Sequence, residues 1–337
     1  MRALALKPPQ AGQMIPLMKD LFWLRFSLPF RLNHINLYLI MTQNGWLILD
    51  CGINARSTAE EWNKILSGPL ADTAVAGIIV SHYHADHVGY AGELSRLTGA
   101  PIYMGFDEHE QALWNLAMSD DEAGDLMAET YKRFGFDLRT VEHTRSKGNY
   151  YRQLAGDLPV DIHKIGREKI FESVAGTWEI RFDCGHSPGQ LSLFDQKRKL
   201  HICVDFLLPR ISPNISVPLR NINIDMLGHY MNYLHDMKSL DDDWLIIPGH
   251  DWPYYGGGTR ARQLIEHHTL RLDQLKSASE TGPMTTFDAM NVLFNFELTD
   301  HELFFASCEA RAHLNYLVET NQLKRTTKDG VDSFSKS

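Results

Sequence analysis

The segment His82-Tyr83-His84-Ala85-Asp86-His87 follows directly on the apolar run Gly77-Ile78-Ile79-Val80. Three imidazoles and a carboxylate crowded together are costly to place at the end of a buried strand unless something binds them. Such a strand end can hold metal ions at the edge of a sheet. The cluster has counterparts downstream: His186 in Cys184-Gly185-His186-Ser187-Pro188-Gly189, Asp205 after Ile202-Cys203-Val204, and His250 in Ile246-Ile247-Pro248-Gly249-His250. Each ends or follows an apolar run, or stands beside a turn-forming Gly or Pro. The pattern predicts seven side chains carried on separate strand ends to one site.

The residue types narrow the chemistry. Neutral imidazole and carboxylate suit zinc, iron or manganese, and the first cluster contains no thiolate. His82 and His84 point the same way if their loop is extended, because side-chain direction repeats every two residues. Asp86 and His87 then lie past a bend and can serve a second ion. Asp205 can bridge two cations through its two oxygens. Two divalent ions held ~3.5–4 Å apart lower the pKa of a shared water and clamp both ends of a displacement. A lone histidine such as His186 is more often a surface or satisfied core residue; the ordered set carries the argument.

Composition removes other classes. The 337 residues can bury a large core, and 44% apolar with 22% charged residues is ordinary for a globular chain. A net charge of −9, from 33 basic and 42 acidic residues, argues against broad nucleic-acid binding. Cys51, Cys184, Cys203 and Cys308 are far apart, which argues against a disulfide framework or a cysteine zinc knuckle. Cys184 and Cys203 read as small core residues. No apolar stretch is long enough to span a bilayer, and Met1–Gln13 does not read as a signal peptide. A cytoplasmic location is the expectation.

Along the chain, strands alternate with helices. Apolar runs Ile35–Met41 and Trp46–Asp50, split by Gln43-Asn44-Gly45, predict a hairpin. Helical spacing covers Ser57–Leu66 and Val88–Leu97, with a short strand at Pro101–Met104. Residues 107–164 read as a helical insertion. Its Trp114, Met118, Met127, Tyr131, Phe134 and Phe136 suit either an acyl-chain pocket or a helical core. Its apolar side could cover the metal mouth as a lid or form a homodimer interface. Arg139, Arg145, Lys147 and Arg152 are available to an anionic group. Strands resume at Trp178–Asp183, Gln190–Phe194, Leu200–Val204 and Trp244–Ile247, with a helix over Leu227–Leu240 and a loop from Pro209 to Pro218. Gly256-Gly257-Gly258 is expected to be a hinge or loop. Helices then cover Ala261–Leu275 and Glu302–Glu319, with a capped start at Thr285. Lys324–Thr327 is expected as a short strand before a polar tail. The division is a catalytic domain over 1–255 and a small helical or winged-helix-like cap over 256–330.

The order His82-x-His84-x-Asp86-His87, His186, Asp205, His250 resembles the metallo-β-lactamase superfamily, from roughly Ile35 to His250. Leu47-Ile48-Leu49-Asp50-Cys51-Gly52 resembles the strand and turn preceding the first motif of that family. The resemblance implies an α/β fold, a four-layer αβ/βα sandwich with metals at one edge of its two sheets. It implies two divalent ions, zinc foremost, with iron or manganese as alternatives. His82, His84 and His186 would hold the first, Asp86, His87 and His250 the second, with Asp205 bridging. True β-lactamases of the family usually lack that bridging aspartate, so Asp205 points toward its glyoxalase-II-like and lactonase-like branches. Ala312–Leu317 resembles their small C-terminal cap. Gln190 departs from the pattern, since many relatives carry a histidine there.

The implied activity is a hydrolase using a metal-bridging hydroxide on an ester-like bond of a small molecule, a thioester or lactone among them. Asp86 would orient the nucleophile and accept its proton, and Asp50 would aim a ligand ring. Tyr83, Tyr254 and Tyr255 are read as packing, with substrate contact as the alternative. Rival readings are a phosphodiesterase or nuclease-like hydrolase, an iron-dependent sulfur dioxygenase, and a regulatory protein without turnover.

Overall fold

Alternation along the N-terminal strands decides the layering. In the strand His34–Thr42, Leu37 and Leu39 join one apolar cluster while Tyr38 and Ile40 join another, and all four are buried. Successive strand residues face opposite sides, so both faces of this sheet must be covered. The computed structural model, which describes residues 1–166, 170–295 and 297–337, shows how.

One sheet runs in the order Ile15–Pro16, Leu21–Ser27, His34–Thr42, Gly45–Leu49, Val75–Val80, Ile102–Gly105, His163–Ile165. Its first half is an antiparallel meander and its second half is parallel. The other runs Arg2–Ala3, Tyr254–Tyr255, Leu245–Pro248, Leu200–Val204, Gln190–Asp195, Thr177–Asp183, Ile170–Glu172. The two share a core in which Trp23, Tyr38, Ile40 and Ile79 meet Trp178, Leu191, Ile202 and Ile247. Helices Arg56–Ser67 and Ala91–Thr98 cover the outside of the first sheet through Trp62, Ile65 and Leu94. Helices Met226–Met237 and Gly257–Ser279 cover the second through Leu234 and Leu264. The result is the expected four-layer αβ/βα sandwich, with the ligand-rich strand ends at one edge.

The hairpin forms where expected: Thr42 pairs with Gly45 across the turn. A Cβ on Gly45 would lie 2.2 Å from the Ala74 carbonyl oxygen, and its φ of 118° also favours glycine. Leu21–Ser27 is a buried central strand without a counterpart in the sequence reading, because Arg25 interrupts its apolar run; the Arg25 guanidinium is satisfied by Asn36 Oδ1 at 3.1 Å. The expected helix over Val88–Leu97 is two pieces, Ala85–Val88 and Ala91–Thr98, broken at Gly89 and Tyr90.

Residues 106–154 form four helices, Phe106–Ala117, Asp120–Phe134, Leu138–Arg145 and Tyr150–Leu154, after which His163–Ile165 returns to the sheet edge. Tyr131, Phe134 and Phe136 pack in the same cluster as the C-terminal helices, with Phe136 edge-on to Phe287 at 4.8 Å. These aromatics are core, not an open acyl-chain lining. Arg145, Lys147 and Arg152 are paired with Asp125, Asp300 and Asp120.

Two expectations near the C-terminus are corrected. Gly257 and Gly258 are not a hinge but the first turn of the helix Gly257–Ser279. A Cβ on Gly257 would meet Ile246 Cδ1 at 2.6 Å, and one on Gly258 would meet the Leu240 carbonyl oxygen at 2.4 Å. Glycine serves close packing there rather than flexibility. The polar tail is also a strand: Leu323–Lys328 and Val331–Lys336 form a hairpin, extended by Met284–Thr285. Its polarity hid it, because only Leu323, Asp332 and Phe334 are buried. Thr285 caps the helix Thr286–Leu293 in a reciprocal box with Asp288, as its sequence predicts. Among the described residues no helix is long and apolar enough to cross a membrane, and all four cysteines are free thiols.

Replacing glycine by alanine inside a helix ordinarily stabilises by up to ~1 kcal/mol. Gly258→Ala is expected to do the opposite, costing about 2 kcal/mol through overpacking against Leu240, read as a lowered denaturation midpoint with unchanged slope.

Candidate metal centre

Parallel strands end on the same edge, so their following loops converge there. Ser81–His84 follow Val75–Val80, Asp205 follows Leu200–Val204, and Gly249–His250 follow Leu245–Pro248. His186 sits in the turn between the strands Thr177–Asp183 and Gln190–Asp195. The backbone is bent hard at these ends: Asp50, Val204 and Asp251 have φ of 65°, 47° and 65°. Positive φ is a real cost for a β-branched valine, tolerated where the surroundings over-determine it.

The structure brings all seven predicted side chains together. Asp205 Oδ2 lies 3.5 Å from His87 Nε2, 3.5 Å from His186 Nε2 and 3.3 Å from His250 Nε2. Asp86 Oδ2 lies 3.6 Å from His87 Nε2 and 3.5 Å from His250 Nε2. His82 Nε2 and His84 Nδ1 are 3.0 Å apart. Ligand-type atoms of His82, His84 and His186 lie within 4.8 Å of one another, as do those of Asp86, His87 and His250; a further group links His82, His87 and Asp205.

The rings are aimed from behind. His87 Nδ1 bonds Asp50 Oδ2 at 2.8 Å, and Asp50 also accepts from Ser81 N and Ser81 Oγ. His82 Nδ1 meets Ser81 Oγ at 2.9 Å. His186 Nδ1 donates to the Asn214 carbonyl at 2.7 Å, and His250 Nδ1 to the His34 carbonyl at 2.8 Å. A carbonyl only accepts, so these two rings carry a proton on Nδ1 and turn Nε2 to the centre. Asp50 thus stands where the sequence reading put it, behind a ring.

His87 Nε2, His186 Nε2 and Asp205 Oδ1 are buried and have no hydrogen-bond partner. Buried polar groups without partners are rare, and each demands an explanation. Burial, reinforced by neighbouring imidazoles, pulls His82 and His84 well below the usual histidine range. Burial opposes ionisation at Asp205, yet His250 and His87 hold it below the usual carboxylate range. Burial likewise lowers His186, while against burial Asp86 and Asp205 raise His87, and Asp205 and Asp86 raise His250. A divalent cation, which takes neutral imidazole and charged carboxylate, fits this donor set by displacing the protons of those two rings.

The surroundings sort the remaining candidates. Gln190 takes the place of a family histidine as a strut: its amide donates to the Cys203 carbonyl and accepts from Asp205 N. Tyr254 is buried, its hydroxyl bonded to the Leu207 carbonyl, and Tyr255 lies under Arg2; both serve packing. Tyr83 is partly exposed, and its carbonyl accepts from the Tyr151 hydroxyl at 2.6 Å. Gly249 lies so close to Asp205 that a Cβ would stand 2.3 Å from Oδ1.

Sequence reasoning missed Glu108. This buried carboxylate, on the helix Phe106–Ala117, accepts from Tyr83 N at 2.9 Å, Ser187 Oγ at 2.6 Å and Gly189 N at 2.5 Å. It therefore ties the loop carrying His82 and His84 to the loop carrying His186. Burial pushes it up to about 7 against those three hydrogen bonds. One signal was available: Glu108 is in i, i+4 phase with the buried Ala112, on the inner face of the helix.

Comparison with known proteins finds related chains of the same fold. The family model described as "Metallo-beta-lactamase superfamily" matches residues 31–250, and that described as "Metallo-beta-lactamase-like, C-terminal domain" matches residues 272–337. A beta-lactamase domain protein from Burkholderia ambifaria is 30% identical, with a TM-score of 0.91 over 99% of this chain and 97% of its own. A metallo-beta-lactamase family protein from Thermus thermophilus shares the fold at 22% identity, with a TM-score of 0.78 over 96% of this chain and 100% of its own. A protein of Desulfitobacterium hafniense named as a metal-dependent hydrolase is 37% identical over 68 residues, 20% of this chain and 26% of its own.

Glu108→Ala leaves three buried donors unsatisfied at ~1–3 kcal/mol each. The variant is expected to lose about 3 kcal/mol or more in denaturant unfolding and to bind zinc more weakly; wild-type stability would refute the clamp.

Proposed function

The chain belongs to the metallo-beta-lactamase superfamily, and on that premise we propose that it is a dinuclear metal-dependent hydrolase cleaving an ester-like bond of a small molecule in the cytoplasm. The acyl substrates meant are thioesters, lactones and their relatives. One observation carries the reading: buried His87 Nε2, His186 Nε2 and Asp205 Oδ1 lack partners at the point where seven ligand-type side chains meet. His82, His84 and His186 would hold one ion and Asp86, His87 and His250 the other, with Asp205 between them. The name of the Desulfitobacterium relative supports metal-dependent hydrolysis over its short matched segment.

Divalent cations held there would supply Lewis acidity toward a carbonyl oxygen and would bring the pKa of water toward neutrality. The chain's residues do the rest. The Asp86 side chain is 21% exposed, against 7% for Asp205, so it is the carboxylate of the set that reaches incoming water. It orients that water and takes its proton. Asp205, gripped by His87 and His250, stays ionised and keeps the two halves in register. Asp50, Ser81, Asn214 and His34 fix the rings so that the set is preorganised before substrate arrives.

Elemental analysis is expected to find near two ions per chain. A panel of thioesters, lactones and phosphodiesters, assayed with and without chelator, is expected to show chelator-sensitive acyl hydrolysis. Turnover confined to phosphodiesters would overturn the acyl reading, and one iron per chain with no hydrolysis would overturn hydrolysis itself. Asp86→Ala is expected to abolish turnover with the fold intact by circular dichroism; full retained activity contradicts its role. Ligating imidazoles must be neutral, and against burial Asp86 and Asp205 raise His87 and His250 above the ordinary imidazole range of about 6.5. Zinc affinity is therefore expected to fall as pH drops toward and through that range; a pH-independent titration would contradict histidine ligation.

A further inference from the structure

His186 is the one histidine of the set held by a long loop rather than by a neighbouring strand end. Its Nδ1 donates to the Asn214 carbonyl at 2.7 Å, within the stretch 209–218 that has no regular structure. A loop carbonyl can aim a ring only if the loop is itself fixed. The fixing comes from the C-terminal helices. Asn214 Nδ2 donates to Glu309 Oε2 at 3.0 Å and to the Phe305 carbonyl at 3.4 Å. Val217 N donates to the Cys308 carbonyl at 3.3 Å. Ile215 and Val217 are buried in the cluster that the C-terminal helices build.

Glu309 lies on the helix Asp300–Glu319 and is only 5% exposed. Its other oxygen, Oε1, accepts from Arg271 Nη1 at 3.0 Å, on the helix Gly257–Ser279. A buried carboxylate is expensive unless its oxygens are occupied, and here each oxygen has one strong partner. Burial pushes Glu309 up to about 7, with Arg271 and then Asn214 pulling the other way. The chain Arg271–Glu309–Asn214–His186 is thus continuous, running from two helices of the C-terminal segment to a ring of the candidate metal centre.

Resting on the metal-centre reading above, we propose that Glu309 is a positioning residue: it holds Asn214, and Asn214 fixes the tautomer and aim of His186. The C-terminal segment is then a working part of the ion site. Partners behind a metal-bound histidine typically matter by 10–100-fold in affinity.

The test is zinc affinity of the full chain by chelator competition, together with the visible spectrum of the cobalt(II)-substituted protein, which reports ligand geometry without turnover. Asn214→Ala and Glu309→Ala are each expected to weaken one zinc by about tenfold or more and to shift the cobalt spectrum. The double variant is expected to be no worse than the weaker single one, because both act through one chain of contacts. Glu309→Gln, which keeps an oxygen for Asn214, is expected to recover part of the loss. Asp332→Asn serves as the control: it breaks the buried Arg311–Asp332 pair in the same segment and is expected to lower Tm with wild-type zinc affinity. If Glu309→Ala fails to fold, Asn214→Ala in its loop still decides the matter. Wild-type affinity and spectrum in Asn214→Ala, or equal weakening in Asp332→Asn, would overturn the inference while leaving the metal centre standing. A wild-type chain that takes up no ion would overturn the metal-centre reading and this inference with it.

Discussion

The structure is organised around the approach of three imidazole nitrogens to one buried carboxylate, Asp205. Asp205 and His250 follow strand ends of the second sheet, His186 sits in a turn of that sheet, and His87 lies on the short helix after a strand of the first, so their meeting requires the two sheets to be packed in one register. Removing such groups from water costs several kcal/mol per ion unless partners compensate. Within the described residues the compensation is incomplete, since His87 Nε2, His186 Nε2 and Asp205 Oδ1 remain without partners. A fold that gathers unsatisfied donors and acceptors at one point, and strains Val204 and Asp251 to do it, is built to receive something there. Nitrogen and oxygen groups facing each other at these separations could hold a divalent cation.

Around that point the chain places supports of three kinds. Asp50 and Ser81 act within the first sheet and hold His87 and His82. Glu108 comes from the helical insertion and locks the loop of His82 and His84 to that of His186. Asn214 and Glu309 come from the other side, linking His186 to the C-terminal helices. The insertion and the C-terminal segment also pack on each other through Phe136 and Phe287 and through the ion pair of Arg133 with Asp332. The two accessory segments therefore form one frame around His186 rather than independent appendages.

The seven side chains were legible in the sequence because their signals are local and strong, and the four-layer sandwich followed from the family that their order resembles. Apolar strand runs ending in His and Asp survive any uncertainty about helix boundaries, and the motif order fixes the topology. What was illegible has physical reasons. Glu108 and Glu309 are single acids in helices, and an acid in a helix reads as solvent-facing until its burial is seen. The strand Leu21–Ser27 was masked by Arg25, whose charge is satisfied by Asn36 across the sheet. Gly257 and Gly258 read as flexible, yet they are there to let the helix Gly257–Ser279 approach Ile246 and Leu240. The first strand of the C-terminal hairpin, Leu323–Lys328, was expected over Lys324–Thr327, but its partner Val331–Lys336 looked like a polar tail because only Asp332 and Phe334 are buried.

The central claim is that the seven side chains hold a pair of cations. Anomalous diffraction from zinc-soaked crystals tests it most directly. The account predicts two ion peaks ~3.5–4 Å apart, one among His82, His84 and His186, the other among Asp86, His87 and His250, with Asp205 touching both. Crystals that take up no ion at this edge, or that show zinc only at surface carboxylates, would contradict it.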